Sequence, residues 1–84
     1  MNSIEWTTKA LRQARKLPPM EQASIADAVE TLQNWPDVEQ ARALVGKPGY
    51  RLRAGRYRVL FTVHAGIPPI VRIEEIKKRD EHTY

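Results

Sequence analysis

The stretch Tyr50-Arg51-Leu52-Arg53-Ala54-Gly55-Arg56-Tyr57-Arg58-Val59-Leu60-Phe61-Thr62-Val63 alternates side-chain character on both sides of Ala54-Gly55. A period of two is that of a strand with one buried face, and two such runs about a short glycine-containing break predict a β-hairpin. With the turn centred on Ala54-Gly55, Arg53 stands opposite Arg56 and Arg51 opposite Arg58. All four arginines then share one face, because directly opposite residues point the same way. The other face carries Leu52 with Tyr57 and Tyr50 with Val59, the side on which helices should pack. Loops of two or four residues keep this arrangement, whereas a bulged three-residue loop would split the arginines between faces.

Working outward, Ile70 to Ile76 reads as a further strand, reached through the Ala65-Gly66 turn and Pro68-Pro69. Upstream, Gly46-Lys47-Pro48-Gly49 is a loop by composition, and Asp37 to Val45 reads as a helical turn with Leu44 and Val45 packing inward. Before it, Ile25, Ala28, Val29 and Leu32 recur at the spacing of a buried helical face, predicting a helix from about Pro19 to Asn34. Pro19 suits the first helical position, and Trp35-Pro36 closes the segment. An earlier helix, capped by Thr7 or Thr8 and running to about Lys16, carries Ala10, Leu11, Ala14 and Leu17 on one stripe. Ile4 to Trp6 is a short opening strand. The expected fold is α+β: a hairpin of two N-terminal helices packed on a mostly antiparallel sheet of about four strands.

At 84 residues the chain supports one domain, 1–84, with one core. The absence of cysteine excludes disulfides, thiolate metal sites and cysteine nucleophiles, and two histidines make a poor metal site. No apolar run approaches the roughly 20 residues of a membrane helix, and Met1 to Lys9 lacks the basic and apolar regions expected of a signal peptide. The expectation is a cytoplasmic protein without cofactor, metal or membrane partner. Glycine-rich phosphate loops and Ser/His/Asp sets are missing, and Glu74-Glu75, adjacent on one strand, should point to opposite faces.

Charge is distributed unevenly. Residues 1–46 hold five Lys/Arg against six Asp/Glu, while residues 47–84 hold nine against four, so the basic excess belongs to the hairpin half. A polyanion or an acidic protein segment fits such a face. Like charges directly opposite one another destabilise a sheet, so either an anionic partner relieves the arginines or Glu74 or Glu75 neutralises part of them. Arginine grips phosphate through a bidentate fork, which favours a nucleic-acid backbone.

Leu44-Val45-Gly46-Lys47-Pro48-Gly49-Tyr50-Arg51-Leu52-Arg53-Ala54-Gly55-Arg56-Tyr57-Arg58-Val59-Leu60-Phe61, followed by Lys77-Lys78-Arg79 and Tyr84, resembles the RelE/ParE superfamily of bacterial toxins. The hairpin is the most specific part, and the opening strand and both helices occur in the same order. The resemblance implies a first strand that joins the meander and a toxin held inactive by a cognate antitoxin that wraps around it. It implies a RelE-like, metal-independent endoribonuclease that cleaves mRNA in the A site of the 70S ribosome and inhibits translation. Operator DNA would be met only through the antitoxin complex. The alternatives are a ParE-like DNA gyrase poison without nuclease activity and an inactive module that binds antitoxin and DNA.

Carried over residue by residue, the resemblance assigns Arg51 and Arg53 to two basic positions on the second strand and Arg58 to the arginine that holds the scissile phosphate. Lys78 or Arg79 matches the basic residue after the last strand, and Tyr84 the tyrosine that stacks on a base. RelE-like sequences usually have lysines where Arg51 and Arg53 stand. Arginine does not readily lose a proton, so these two are read as electrostatic stabilisers. Lys47, Arg56, Lys77 and His82 are further RNA-binding candidates, and a general base or acid could come from Lys47, Lys77, Lys78 or His82. Taken alone, His82 reads as an ordinary surface histidine rather than a catalytic one.

Overall fold

The computed structural model describes residues 1–79, in which five strands and two helices follow one another. Strand β1 (Ser3–Trp6) leads into helix α1 (Thr8–Arg15) and helix α2 (Pro19–Glu30), which continues as a 3-10 turn over Thr31–Asn34. Strands β2 (Ala41–Ala43), β3 (Tyr50–Ala54), β4 (Tyr57–His64) and β5 (Ile70–Lys78) follow among the described residues. The sheet order is β1-β5-β4-β3-β2. Strand β1 runs parallel to β5, and every other neighbouring pair is antiparallel.

Two expectations need correction. The sheet has five strands rather than about four, because the segment expected to form a helical turn supplies β2. Ala41 lies opposite Leu52 and is buried, whereas Val45, expected inside, is almost fully exposed at 97%. Alanine is depleted in strands, so Ala41-Arg42-Ala43 carries little strand signal of its own; β3 templates it. The second helix also tightens four residues early, its last turn becoming 3-10 as helix ends often do.

Local chemistry sets each boundary. Thr7 caps α1: its Oγ1 accepts a hydrogen bond from the Ala10 amide at 3.1 Å and donates one to the Glu74 carbonyl at 3.3 Å. Pro19 occupies the first turn of α2, where an amide hydrogen is not needed. Ile25, Val29 and Leu32 turn inward as their spacing predicts, against Leu52, Val59, Phe61, Val71 and Ile73 of the sheet. Ala10 is buried and Ala14 and Leu17 pack against the core, but Leu11, expected on the same stripe, is 38% exposed. The core ends in an aromatic cluster, with Phe61 5.4 Å from both Trp35 and Tyr50 and Trp35 4.6 Å from Tyr50, centroid to centroid.

Strand β1 covers β5 only as far as Ile73. Helix α1 closes the next part of that edge. The Ile76 amide donates to Gln13 Oε1 at 2.6 Å, and Lys9 Nζ meets Glu75 at 3.3 Å. An edge handled in this way offers fewer unpaired groups to other chains. Both helices therefore lie on one side of the sheet or along its margin, and the opposite face of β2 to β5 is left open.

Candidate functional site

The open face is basic because of the hairpin register. Arg53 stands opposite Arg58 and Ala54 opposite Tyr57, so the loop is Gly55-Arg56 rather than Ala54-Gly55. Gly55 has φ +59° and no non-glycine residue among those described has positive φ, the pattern of a II′ turn with glycine in first place. The expected pairs Arg53 with Arg56 and Arg51 with Arg58 are thus corrected, yet both loops contain two residues and the faces survive. Arg51, Arg53 and Arg58 point away from the helices. Arg56 leaves the set: it lies in the turn, and its Nε is 3.6 Å from Glu21 of α2.

On β5 a bulge decides which residues join them. Leu60 pairs with Glu75 but Phe61 with Ile73, so Glu74 is the extra residue. The helix-facing positions move from Val71 and Ile73 to Ile76 and Lys78. Lys77 consequently stands directly opposite Arg58, and Arg53, Arg58 and Lys77 form one row across three strands. Lys78 and Arg79 differ in position: Lys78 pairs with Tyr57 on the helix side, and Arg79 borders the arginine groove. The Arg79 amide donates to the Arg56 carbonyl at 2.7 Å, which fixes the strand end against the turn.

Arg51, Arg53, Arg58 and Arg79 line one depression of about 190 Å³. None of the three ion pairs among the described residues involves Arg51, Arg53 or Arg79. Neither candidate neutraliser reaches the face as an ion-pair partner of these arginines. Glu75 pairs with Lys9, and Glu74 Oε2 accepts from Thr62 Oγ1 at 2.7 Å while the His64 ring lies 2.8 Å from the same hydroxyl. Four guanidiniums around one concavity make a strong electrostatic receptor for a multiply charged anion.

Lys47 is exposed in the loop before β3, at the strand end away from Arg53. Tyr84 and His82 lie outside the described residues. Sequence reasoning missed Arg42, which stands opposite Arg51 on β2 and extends the same face; its signal was the alternation within Ala41-Arg42-Ala43. It also missed the contact behind the hairpin, where Tyr57 donates its hydroxyl hydrogen to Glu21 Oε2 at 2.5 Å.

That contact holds the Tyr57 phenol above the ordinary tyrosine value of 10.0, first through the hydrogen bond to Glu21, then through burial and the Glu21 charge, against a smaller opposing pull from Arg56. A raised phenol favours the protonated folded state. The stabilisation is complete below pH 10.0 and fades as pH rises through the folded value. Urea midpoints of the parent chain should therefore fall more steeply above pH 10 than those of Tyr57→Phe; parallel alkaline limbs would remove Tyr57 from the account.

No protein-family model and no curated protein matches the sequence. Solved structures do. The toxin–antitoxin complex RelBE2 from Mycobacterium tuberculosis contains a chain that is 26% identical with a TM-score of 0.77, over 93% of this chain and 98% of that one. The RelE-RelB complex of Pyrococcus horikoshii gives 19% identity and a TM-score of 0.77, over 95% and 97%. The isolated RelE toxin of E. coli gives 21% and 0.76, over 99% and 89%.

Proposed function

We propose, on the premise that the fold of this chain is that of the RelE/ParE toxin superfamily, that the protein is the toxin of a type II toxin–antitoxin system and acts as a RelE-like endoribonuclease on mRNA in the ribosomal A site. The observation that carries this reading is the depression lined jointly by Arg51, Arg53, Arg58 and Arg79 on the open face of the sheet. The structural neighbours in complex with RelB support a cognate antitoxin as partner, and the basic face suits an acidic segment of it.

The reaction is attack of a ribose 2′-oxygen on the adjacent phosphorus. The bond to the 5′-oxygen breaks, leaving a 2′,3′-cyclic phosphate and a 5′-hydroxyl. Negative charge builds on the phosphoryl oxygens as the bond forms, and preorganised guanidiniums aimed at that charge lower the barrier. In this reading Arg58, flanked by Arg53 and Lys77, holds the scissile phosphate, and Arg51, Arg53 and Arg79 spread the charge. A proton must leave the 2′-hydroxyl and another must reach the 5′-oxygen. Arginines serve this poorly, so the proton carriers are sought among Lys47, Lys77, Lys78 and His82. Lys77 is the lysine whose register lies in the arginine row.

Cell-free translation tests the reading against its gyrase alternative. Added protein should halt peptide synthesis and leave DNA supercoiling by gyrase unchanged. Continued synthesis together with trapped, cleaved DNA would transfer the chain to the ParE-like class.

A further inference from the structure

The arginine groove does not stop at β3. A second depression of about 160 Å³ is lined by Glu39, Gln40, Arg42, Arg51 and Arg53. It shares Arg51 and Arg53 with the first, so the two form one continuous track from Arg79 at the end of β5 to Arg42 on the outermost strand. Arg42 is held in place by its own backbone: Nη1 donates to the Glu39 carbonyl at 2.6 Å and to the Ala41 carbonyl at 2.9 Å. Among the described residues its guanidinium makes no ion pair, and its hydrogen bonds all leave from Nη1, so Nε and Nη2 remain for a ligand.

We infer that Arg42, together with Arg51 shared between the two depressions, forms a second phosphate subsite beside the one at Arg53, Arg58 and Arg79, so that the single strand of RNA crosses the sheet toward β2. The inference rests on the nuclease reading above. Its physical basis is spacing and preorganisation. Alternate residues of a strand stand about 6.6 Å apart and neighbouring strands about 4.8 Å apart, so the track offers cations at steps of the order of one nucleotide. An arginine whose one amino group is already tied to the main chain loses less freedom on binding than a loose one. Glu39 is the acidic residue of this subsite and opposes the phosphate.

The test uses a single-stranded RNA oligonucleotide made uncleavable by 2′-O-methylation, with affinity measured against salt concentration. Each phosphate neutralised on a single strand contributes about 0.7 to the slope of log K against log salt. Arg42→Ala should reduce that slope by about 0.7 and weaken binding several-fold across sequences, while Glu39→Gln should tighten it. Both side chains are exposed, and a circular dichroism spectrum identical to the parent's certifies each fold. An unchanged slope in Arg42→Ala, with Arg58→Ala impaired, overturns the second subsite alone. An unchanged slope with a loosened antitoxin complex overturns it in favour of a protein-docking role. Absence of salt-dependent binding by the parent chain overturns the track as an RNA path, while the nuclease reading stands or falls separately on ribosome-dependent cleavage.

Discussion

Arg58→Ala is expected to lower ribosome-dependent mRNA cleavage by about 10²–10³-fold, the usual cost of removing one preorganised group that stabilises transition-state charge. Arg58 sits in the middle of the row formed with Arg53 and Lys77 and lines the depression with three other arginines. Its loss leaves a gap where the developing charge is greatest, whereas Arg51 and Arg53 can partly cover for each other. Arg58→Lys should fall between parent and alanine variant, since it keeps the charge and loses the fork. The side chain faces away from the helices, so the urea midpoint should change little. Cleavage by Arg58→Ala within tenfold of the parent would remove the residue from the phosphate site.

The second large effect is on stability. Phe61 is 1% exposed, lies on the central part of β4 and touches both Trp35 and Tyr50. Truncating a buried phenylalanine costs about 3–5 kcal/mol, from lost burial and the cavity left behind. At roughly 0.05–0.15 kcal/mol per residue, a domain of this size has only about 4–13 kcal/mol in total. Phe61→Ala should therefore forfeit between a quarter of the stability and all of it. Ile67→Ala is the control: Ile67 is fully exposed, and its truncation should stay within about 0.5 kcal/mol. Urea denaturation followed by tryptophan fluorescence reads both, and equal midpoints for the two variants would contradict the core described here.

The helices were legible because their cues are local: Thr7 as cap, Pro19 in the first turn, and the spacing of Ile25, Val29 and Leu32. The basic face was legible for a different reason. Any two-residue loop keeps the parity of a hairpin, so Arg51, Arg53 and Arg58 shared a face even with the turn centred one residue too early. Glycine in the first loop position was the missed cue, since Ala54 there would need a positive φ that only glycine adopts readily. The shift has a consequence for the site, because it sends Arg56 to Glu21 and out of the groove.

Two other features depended on long-range pairing. The bulge at Glu74 left a trace in the apolar positions Val71, Ile73 and Ile76, spaced by two and then by three. That trace separates Arg79, which borders the groove, from Lys78. Strand β2 left almost none: three residues, two of them alanine, take their conformation from β3. With it went the expectation that Val45 packs inward, and the contribution of Arg42 to the open face.

The central claim is that this arginine face acts on mRNA within the ribosome. Primer extension on an mRNA programmed into 70S ribosomes, run beside the same RNA free of ribosomes, tests it most directly. The account expects cuts at the A-site codon that appear only with ribosomes and nearly vanish with Arg58→Ala. Intact RNA in both lanes, from a folded chain that still binds its antitoxin, would contradict it.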